Sequence, residues 1–318
     1  MLRTTETKLC RRILVAVRDP VRAPRAQLKK AARLARLSGA RIELFHSLAS
    51  VPVPGRDPIA VRAKRALERL KGQRCFSGLK ITSHMHWDYP PHEAVIRRAL
   101  ETRADFVVAA SASHGLGRRM FLENTDWELI RHCPVPLLFV KSSRDYVRPT
   151  VLAAVDPFHA HAKPAALDAR LLARGEQIAR VLHGKLHVFH AYLPLVVNML
   201  VPIDQGPIWM PREAEQAHAL ATERAFNRLA ESAGIPAARR HLTIGDVPDR
   251  LVAAVRRIGA QIVVMGAVSR SGLKRFFIGS TAEIVLDALH CDVLILKPRG
   301  FTTRVPRRQS PFANPIFY

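Results

Sequence analysis

The sequence predicts an α/β protein made of two tandem, doubly wound, mostly parallel five-stranded sheets. Three observations carry this. Apolar runs of strand length alternate with helical segments along most of the 318 residues. The second half of the chain repeats the first. Both halves open alike: Arg12–Val17 runs into Arg18, Asp19 and Pro20, and Thr150–Val155 runs into Asp156 and Pro157.

In chain order, the first half reads as strand Arg12–Val17, helix Ala26–Leu37, strand Arg41–His46, helix Ala60–Leu70, strand Ile81–His86, helix Pro91–Thr102, strand Phe106–Ala109 and strand Cys133–Lys141. Runs such as Ile13-Leu-Val-Ala-Val are apolar at every position, as a strand covered on both faces requires. Leu28, Ala31, Ala32 and Ala35 recur at helical spacing. The second half reads as strand Thr150–Val155, helix Leu167–Val181, strand Lys185–His190, helix Arg212–Ala233, strand Arg240–Ile244, helix Pro248–Ile258, strand Ile262–Met265, helix Ala282–Leu289 and strand Cys291–Lys297. Parallel strands joined this way take right-handed crossovers, and a ligand is expected at their C-terminal ends, where strand order reverses. The boundary falls in Ser142–Pro149, a polar stretch without periodicity. It divides the chain into residues 1–147, residues 148–300 and a basic, proline-containing tail, 301–318, expected to be loosely ordered.

The stretch Ile262–Thr281 carries the chemistry. A strand ends at Gly266, a short basic loop follows, and Gly279-Ser280-Thr281 opens a helix. Glycines let a backbone approach a phosphate, and amides at a helix start point at it. Shifting this stretch back by 156 residues lays it over Val107–Thr125. Ser113 then falls on Ser269, Glu123 on Gly279 and Thr125 on Thr281.

With these motifs, residues 8–298 resemble two tandem universal stress protein (Usp) domains, in the long two-domain arrangement called the UspE type. The family signature is Gly, two residues, Gly, nine residues, Gly, then Ser or Thr. Gly266, Gly279 and Ser280 match it, and Ser269 stands at the second glycine. The resemblance implies an adenine-nucleotide-hydrolase-like fold. It also implies a pseudo-two-fold axis between the halves, which pair through their last strands, Leu137–Lys141 and Val293–Lys297. Finally, it implies a site in the second half for ATP or another adenine nucleotide, with Mg if a triphosphate. In the family, the acidic residue after strand one contacts the adenosine, and the glycine loop takes the phosphates. The residues carried over are Ala154, Val155, Asp156, Ala191, Met265, Gly266, Ser269, Gly279, Ser280 and Thr281. If position 269 needs a positive φ, its serine costs on the order of 1 kcal/mol.

The first half departs from the signature. Ala110, Ser113, Glu123 and Asn124 replace the three glycines and the serine, and Arg18 stands where the second half has Asp156. A carboxylate at 123 occupies and repels the place of a phosphate, so no nucleotide triphosphate is expected there. This half reads as a structural pseudo-domain.

Composition sets the remaining bounds. The formal net charge is +24, with 29 Lys and Arg against 13 Asp and Glu in residues 1–148 and 21 against 13 in the rest. Such a charge attracts anions and nucleic acid at long range. A basic scaffold or nucleic-acid-associated protein is therefore the rival reading, although the basic residues are scattered rather than blocked. There is no apolar run long enough to cross a membrane and no signal-peptide core at the N-terminus, so the cytoplasm is the expected compartment. Cys10, Cys75, Cys133 and Cys291 form no CxxC pair, and Cys133 and Cys291 read as small buried side chains at equivalent positions. Neither His114 and His132 nor His159 and His161 beside Asp156 make a persuasive base or metal site. Walker A, Gly-x-Ser-x-Gly and HExxH motifs are absent, so no enzyme is indicated. An apolar insertion, 193–211, reads either as a lid over an apolar cavity or as a contact with the other half or another subunit, with contact favoured. The resulting expectation is a non-enzymatic stress-response factor that binds an adenine nucleotide or phosphorylated ligand in its second half and pairs internally or as a homodimer.

Overall fold

The structure is a computed structural model and describes residues 9–49, 57–110, 124–157, 167–194, 212–267 and 280–309; for 280–282 it describes the backbone alone. The first half runs β1 (Arg12–Ala16), α1 (Arg25–Ser38), β2 (Arg41–Leu48), α2 (Pro58–Lys71), β3 (Ile81–Trp87), α3 (Pro91–Glu101), β4 (Phe106–Ala110), α4 (Asn124–His132) and β5 (Leu137–Val140). The second runs β6 (Thr150–Ala154), α5 (Leu167–Val181), β7 (Lys185–Tyr192), α6 (Arg212–Ser232), β8 (Arg240–Ile244), α7 (Val247–Ile258), β9 (Ile262–Gly266), α8 (Ser280–Ala288) and β10 (Asp292–Leu296).

Local chemistry explains the boundaries. α1 stops at Gly39, whose φ of 65° is a left-handed conformation that suits glycine. Asp57 caps α2 by accepting from the amides of Ile59 (2.8 Å) and Ala60 (3.3 Å), and Pro58 fills the first turn, where no donor is needed. β5 starts four residues later than Cys133. The Cys133 amide still belongs to the helix end, donating to Leu129 O at 2.9 Å, and Pro134 and Pro136 have no amide to give a ladder. β2 and β7 each extend two residues past the histidine that closes the predicted strand. Ser47 and Leu48 keep pairing with β3, and Ala191 and Tyr192 with β8.

The two five-stranded sheets are present and join edge to edge. The order is β3-β2-β1-β4-β5-β10-β9-β6-β7-β8, and it reads the same from both ends. All pairs are parallel except the central one, where Leu137, Leu138 and Phe139 face Ile295, Leu294 and Val293 in antiparallel register. These are the two last strands expected to pair. An antiparallel joint between like strands is the arrangement a two-fold relation needs.

The sheet is covered on both faces. One core layer gathers Leu28 of α1, Leu67 of α2, Leu171 of α5 and Phe226 of α6. The other gathers Ile96 of α3, Leu129 of α4, Leu251 of α7 and Val285 of α8. Along β1, Ile13 and Val15 enter the first layer and Leu14 the second, which is why the strand is apolar throughout. Cys133 and Cys291 are buried, and burial pushes both thiols up to about 12, so neither is a nucleophile near neutral pH.

Polar contacts close the joint. Asp292 is fully buried; its carboxylate accepts from Lys30 Nζ of α1 (2.5 Å), the Tyr146 hydroxyl, and the amides of Lys141 (2.9 Å) and Ser142 (2.8 Å). Lys30 also donates to Ser142 O at 2.6 Å. First half, linker and second half thus meet at one carboxylate. Two repeat-equivalent lysines follow β5 and β10. Lys141 Nζ donates to the Leu286 carbonyl in the last turn of α8, and Lys297 Nζ to Ala267 O at 2.8 Å. Burial lowers the pKa of both, that of Lys297 to about 8. Past β10 the chain returns to the first half. Val305 is buried in the second core layer, and Arg97 of α3 donates to Pro306 O at 3.4 Å. The start of the expected loose tail is therefore docked, and residues 310–318 lie outside the described residues.

Candidate functional site

In the second half, the C-terminal ends of β7, β6 and β9 lie side by side and bring together six of the ten residues expected at the site. Ala154 ends β6, Val155 and Asp156 follow it, Ala191 lies near the end of β7, and Met265 and Gly266 close β9. Val155, Ala191 and Met265 are buried, Val155 in the first core layer and Ala191 and Met265 in the second. The helix expected after the glycine loop is α8, and Ser280 and Thr281 are its first residues. Ser269 and Gly279 lie outside the described residues, as do His114, His159, His161, Glu123 and most of the insertion 193–211.

Gly266 has a packing reason of its own. A Cβ built there would meet Leu167 Cδ2 of α5 at 2.8 Å. The first half carries Ala110 at the same place and accommodates it.

The structure adds residues that the motif does not contain. Asp168, in the first turn of α5, accepts from the Asp156 amide at 3.3 Å with each carboxylate oxygen. His190 of β7 is buried, and its Nδ1 lies 3.0 Å from Val155 O. A carbonyl only accepts, so Nδ1 carries the hydrogen. Tyr192 and Phe226 stack beside this ring at 6.3 Å each. Lys297 holds the carbonyl of Ala267, the residue just before the loop, and Arg170 Nη1 donates to Lys297 O at 2.5 Å.

His46 repeats this in the first half, with Nδ1 2.9 Å from Val17 O. Burial lowers its pKa and keeps the ring neutral. The signal for both histidines was the repeat itself, because each closes the predicted second strand of its half. The rest of the first-half site is changed in charge. Arg18, in the place of Asp156, pairs with Asp126 in the first turn of α4. Among the described residues, no group of three or more His, Cys, Asp or Glu could hold a metal ion, and His132 instead contacts Glu128 at 3.2 Å. No helix among the described residues is long and apolar enough to cross a membrane.

The sequence profile of the universal stress protein family matches residues 10–141 and 149–297. The chain belongs to that family. It is a tandem Usp protein of the UspE type. Universal stress protein E of Escherichia coli K12 is 28% identical over 235 residues, 72% of either chain. The same protein of Photorhabdus laumondii is 25% identical over 304 residues, covering 91% of this chain and 95% of its own. Among solved structures, protein PA1789 of Pseudomonas aeruginosa PAO1 aligns over 91% of this chain and 93% of its own, with a TM-score of 0.70 at 23% identity. A universal stress protein from Archaeoglobus fulgidus aligns over 92% of this chain and 99% of its own, with a TM-score of 0.67 at 15% identity. Both likenesses concern the fold.

Proposed function

We propose that this Usp protein acts by binding, without catalysis, and that its second half takes an adenine nucleotide. The observation that carries the reading is the placement of Asp156. It follows the end of β6, beside the ends of β7 and β9, and α8 begins at Ser280 after the loop that follows β9. One end of such a site suits a nucleoside. The other, a loop leading into a helix N-terminus, suits phosphates. Asp156 accepts from the nucleoside, Val155, Ala191 and Met265 support the base, and Ser269, Gly279, Ser280 and Thr281 take the phosphates. A triphosphate arrives with Mg. Asp168 fixes the backbone that presents Asp156, and Lys297 fixes the start of the loop. Ligand-dependent ordering of the loop then alters contacts with a partner.

Titration with a labelled ATP analogue should show one site per chain, and Gly279→Glu, which copies Glu123 of the first half, should abolish it. Asp156→Ala should weaken adenosine-containing ligands by about 1–3 kcal/mol, the range for a hydrogen bond to a charged group, and leave inorganic phosphate unchanged. Equal losses for both ligands would show that Asp156 supports the loop rather than reading the nucleoside.

A further inference from the structure

The first half keeps a cavity where its counterpart would hold a ligand. It opens at the C-terminal ends of β1, β2 and β4 and has a volume of about 350 Å³. That is within the range of small-molecule sites, roughly 300–1,000 Å³. Phe45, Leu48, Val95, Ala109, Ala110 and Leu129 give it mostly apolar walls.

Its polar groups favour one class of ligand. Arg18 and Asp126 both line it and are bonded to each other, with the carboxylate side chain only 4% exposed. Asp126 lies in the first turn of α4, so a protein carboxylate already holds the charge position that a helix N-terminus would offer to an anion. A phosphate entering here meets that carboxylate and a cation already engaged with it. His46 lines the cavity too. With its Nδ1 hydrogen directed at Val17 O, the ring has an acceptor, Nε2, to offer. The hydroxyl of Ser47 donates to Asp88 O and likewise has acceptor capacity left. Among the described residues the lining is thus mostly apolar surface, with an ion pair, the rings of His46 and His92 and the hydroxyls of Ser47 and Thr125 as its polar groups.

We propose that the first half is a second ligand site, for an uncharged, largely apolar small molecule that carries at least one N–H or O–H donor and no phosphate. The proposal does not depend on nucleotide binding in the second half, because no residue of that half lines the cavity.

Two dyes that share a skeleton test it on the full chain. N-phenyl-1-naphthylamine is uncharged and has one N–H donor; 8-anilinonaphthalene-1-sulfonate adds an anion. Fluorescence titration in about 0.3 M salt, which screens the basic surface, should show saturable binding of one neutral dye per chain. The sulfonate should bind at least about tenfold more weakly, a difference of about 1.4 kcal/mol. Saturating ATP should not displace the neutral dye. Ala110→Phe, which fills the cavity, and Ala49→Phe at its exposed rim should each weaken the neutral dye at least about tenfold, with unchanged circular dichroism. Ala49 is exposed, so its variant folds even if the one at half-buried Ala110 does not. Absence of saturable binding, equal affinity for the sulfonate, displacement by ATP, or full binding in the folded variants would each overturn the proposal.

Discussion

The two halves share a backbone plan and differ in charge at corresponding places. After strand one, the second half has Asp156 and the first Arg18. At the third residue of the helix after the loop, the second half has Ala282 and the first the buried Asp126. Both keep the histidine that ends the predicted second strand, bonded to the same strand-one carbonyl. What is shared holds the strand ends together. On the proposed reading, what differs sets which ligand can approach them. On that reading a duplicated domain can lose phosphate chemistry and keep its cavity, because packing of the sheet places the cavity and a few side chains at the rim set its polarity.

The comparison is tested most severely at the joint, where Pro134 stands at the repeat position of Asp292. Cys133-Pro134 in the first half corresponds to Cys291-Asp292 in the second, and only Asp292 collects Lys30, Tyr146 and two amides. Asp292→Ala or Lys30→Met leaves a buried charge without its partner and should cost about 3–5 kcal/mol in guanidinium unfolding. Pro134→Ala should cost far less. Similar losses at both positions would mean that backbone pairing alone holds the joint.

A smaller effect separates packing from ligand approach at the first glycine of the loop. Gly266→Ala brings a methyl group to 2.8 Å from Leu167 Cδ2, a side-chain end that must shift, and should destabilise the protein by at most about 1 kcal/mol. The double variant with Leu167→Ala should remove the clash, exchanging it for a lost leucine contact, and should bind the ATP analogue like the parent. Ala110→Gly in the first half should cost about 0.5–1 kcal/mol, the penalty of glycine in a strand. If the double variant folds but fails to bind, Gly266 serves the ligand directly.

The smallest difference concerns acid. On one face of the first half, Glu43 of β2 pairs with Arg98 at 2.5 Å, while in the second half His187 of β7 lies 2.9 Å from His241, with Arg257 3.3 Å from His241. Burial, then the neighbouring His241, Arg239 and Lys185, lowers the His187 pKa to about 4. Between pH 6.5 and about 4, the unfolded chain takes up a proton that the folded ring refuses, so stability falls as pH falls through that window. His187→Phe should flatten this part of the stability–pH curve. An unchanged slope would assign the acid sensitivity to other groups.

Much of this was legible in the sequence, because the fold rests on local patterns. Strand runs, helical spacing and the repeat determine the two sheets, and the resemblance to the Usp family implied the joint through the last strands. The positions of Ala154, Val155, Ala191 and Met265 at strand ends were legible for the same reason. The partners of Asp292 were not, because side chains that meet only after folding leave no periodic trace. Asp168 was hidden as an ordinary acidic residue in a helix's first turn. Gly266 was legible as a glycine, but its contact with Leu167 was not. Arg18 was visible as a departure from the repeat, and only the structure shows that Asp126 answers it.

The carboxylate of Asp292 also bears on the order in which the chain can settle during synthesis. Lys30 and Asp292 are 262 positions apart. At the usual 5–20 residues per second, Lys30 leaves the ribosome on the order of 13–50 s before its counter-charge exists. Throughout that interval β5 has no β10 beside it, and the ammonium that will be buried has to stay in water. The first half can collapse early, but α1 can seat fully only when the last strand is made. A nascent chain stalled before residue 292 should therefore have a loosely held α1 and an open strand edge, which is where a chaperone would find it.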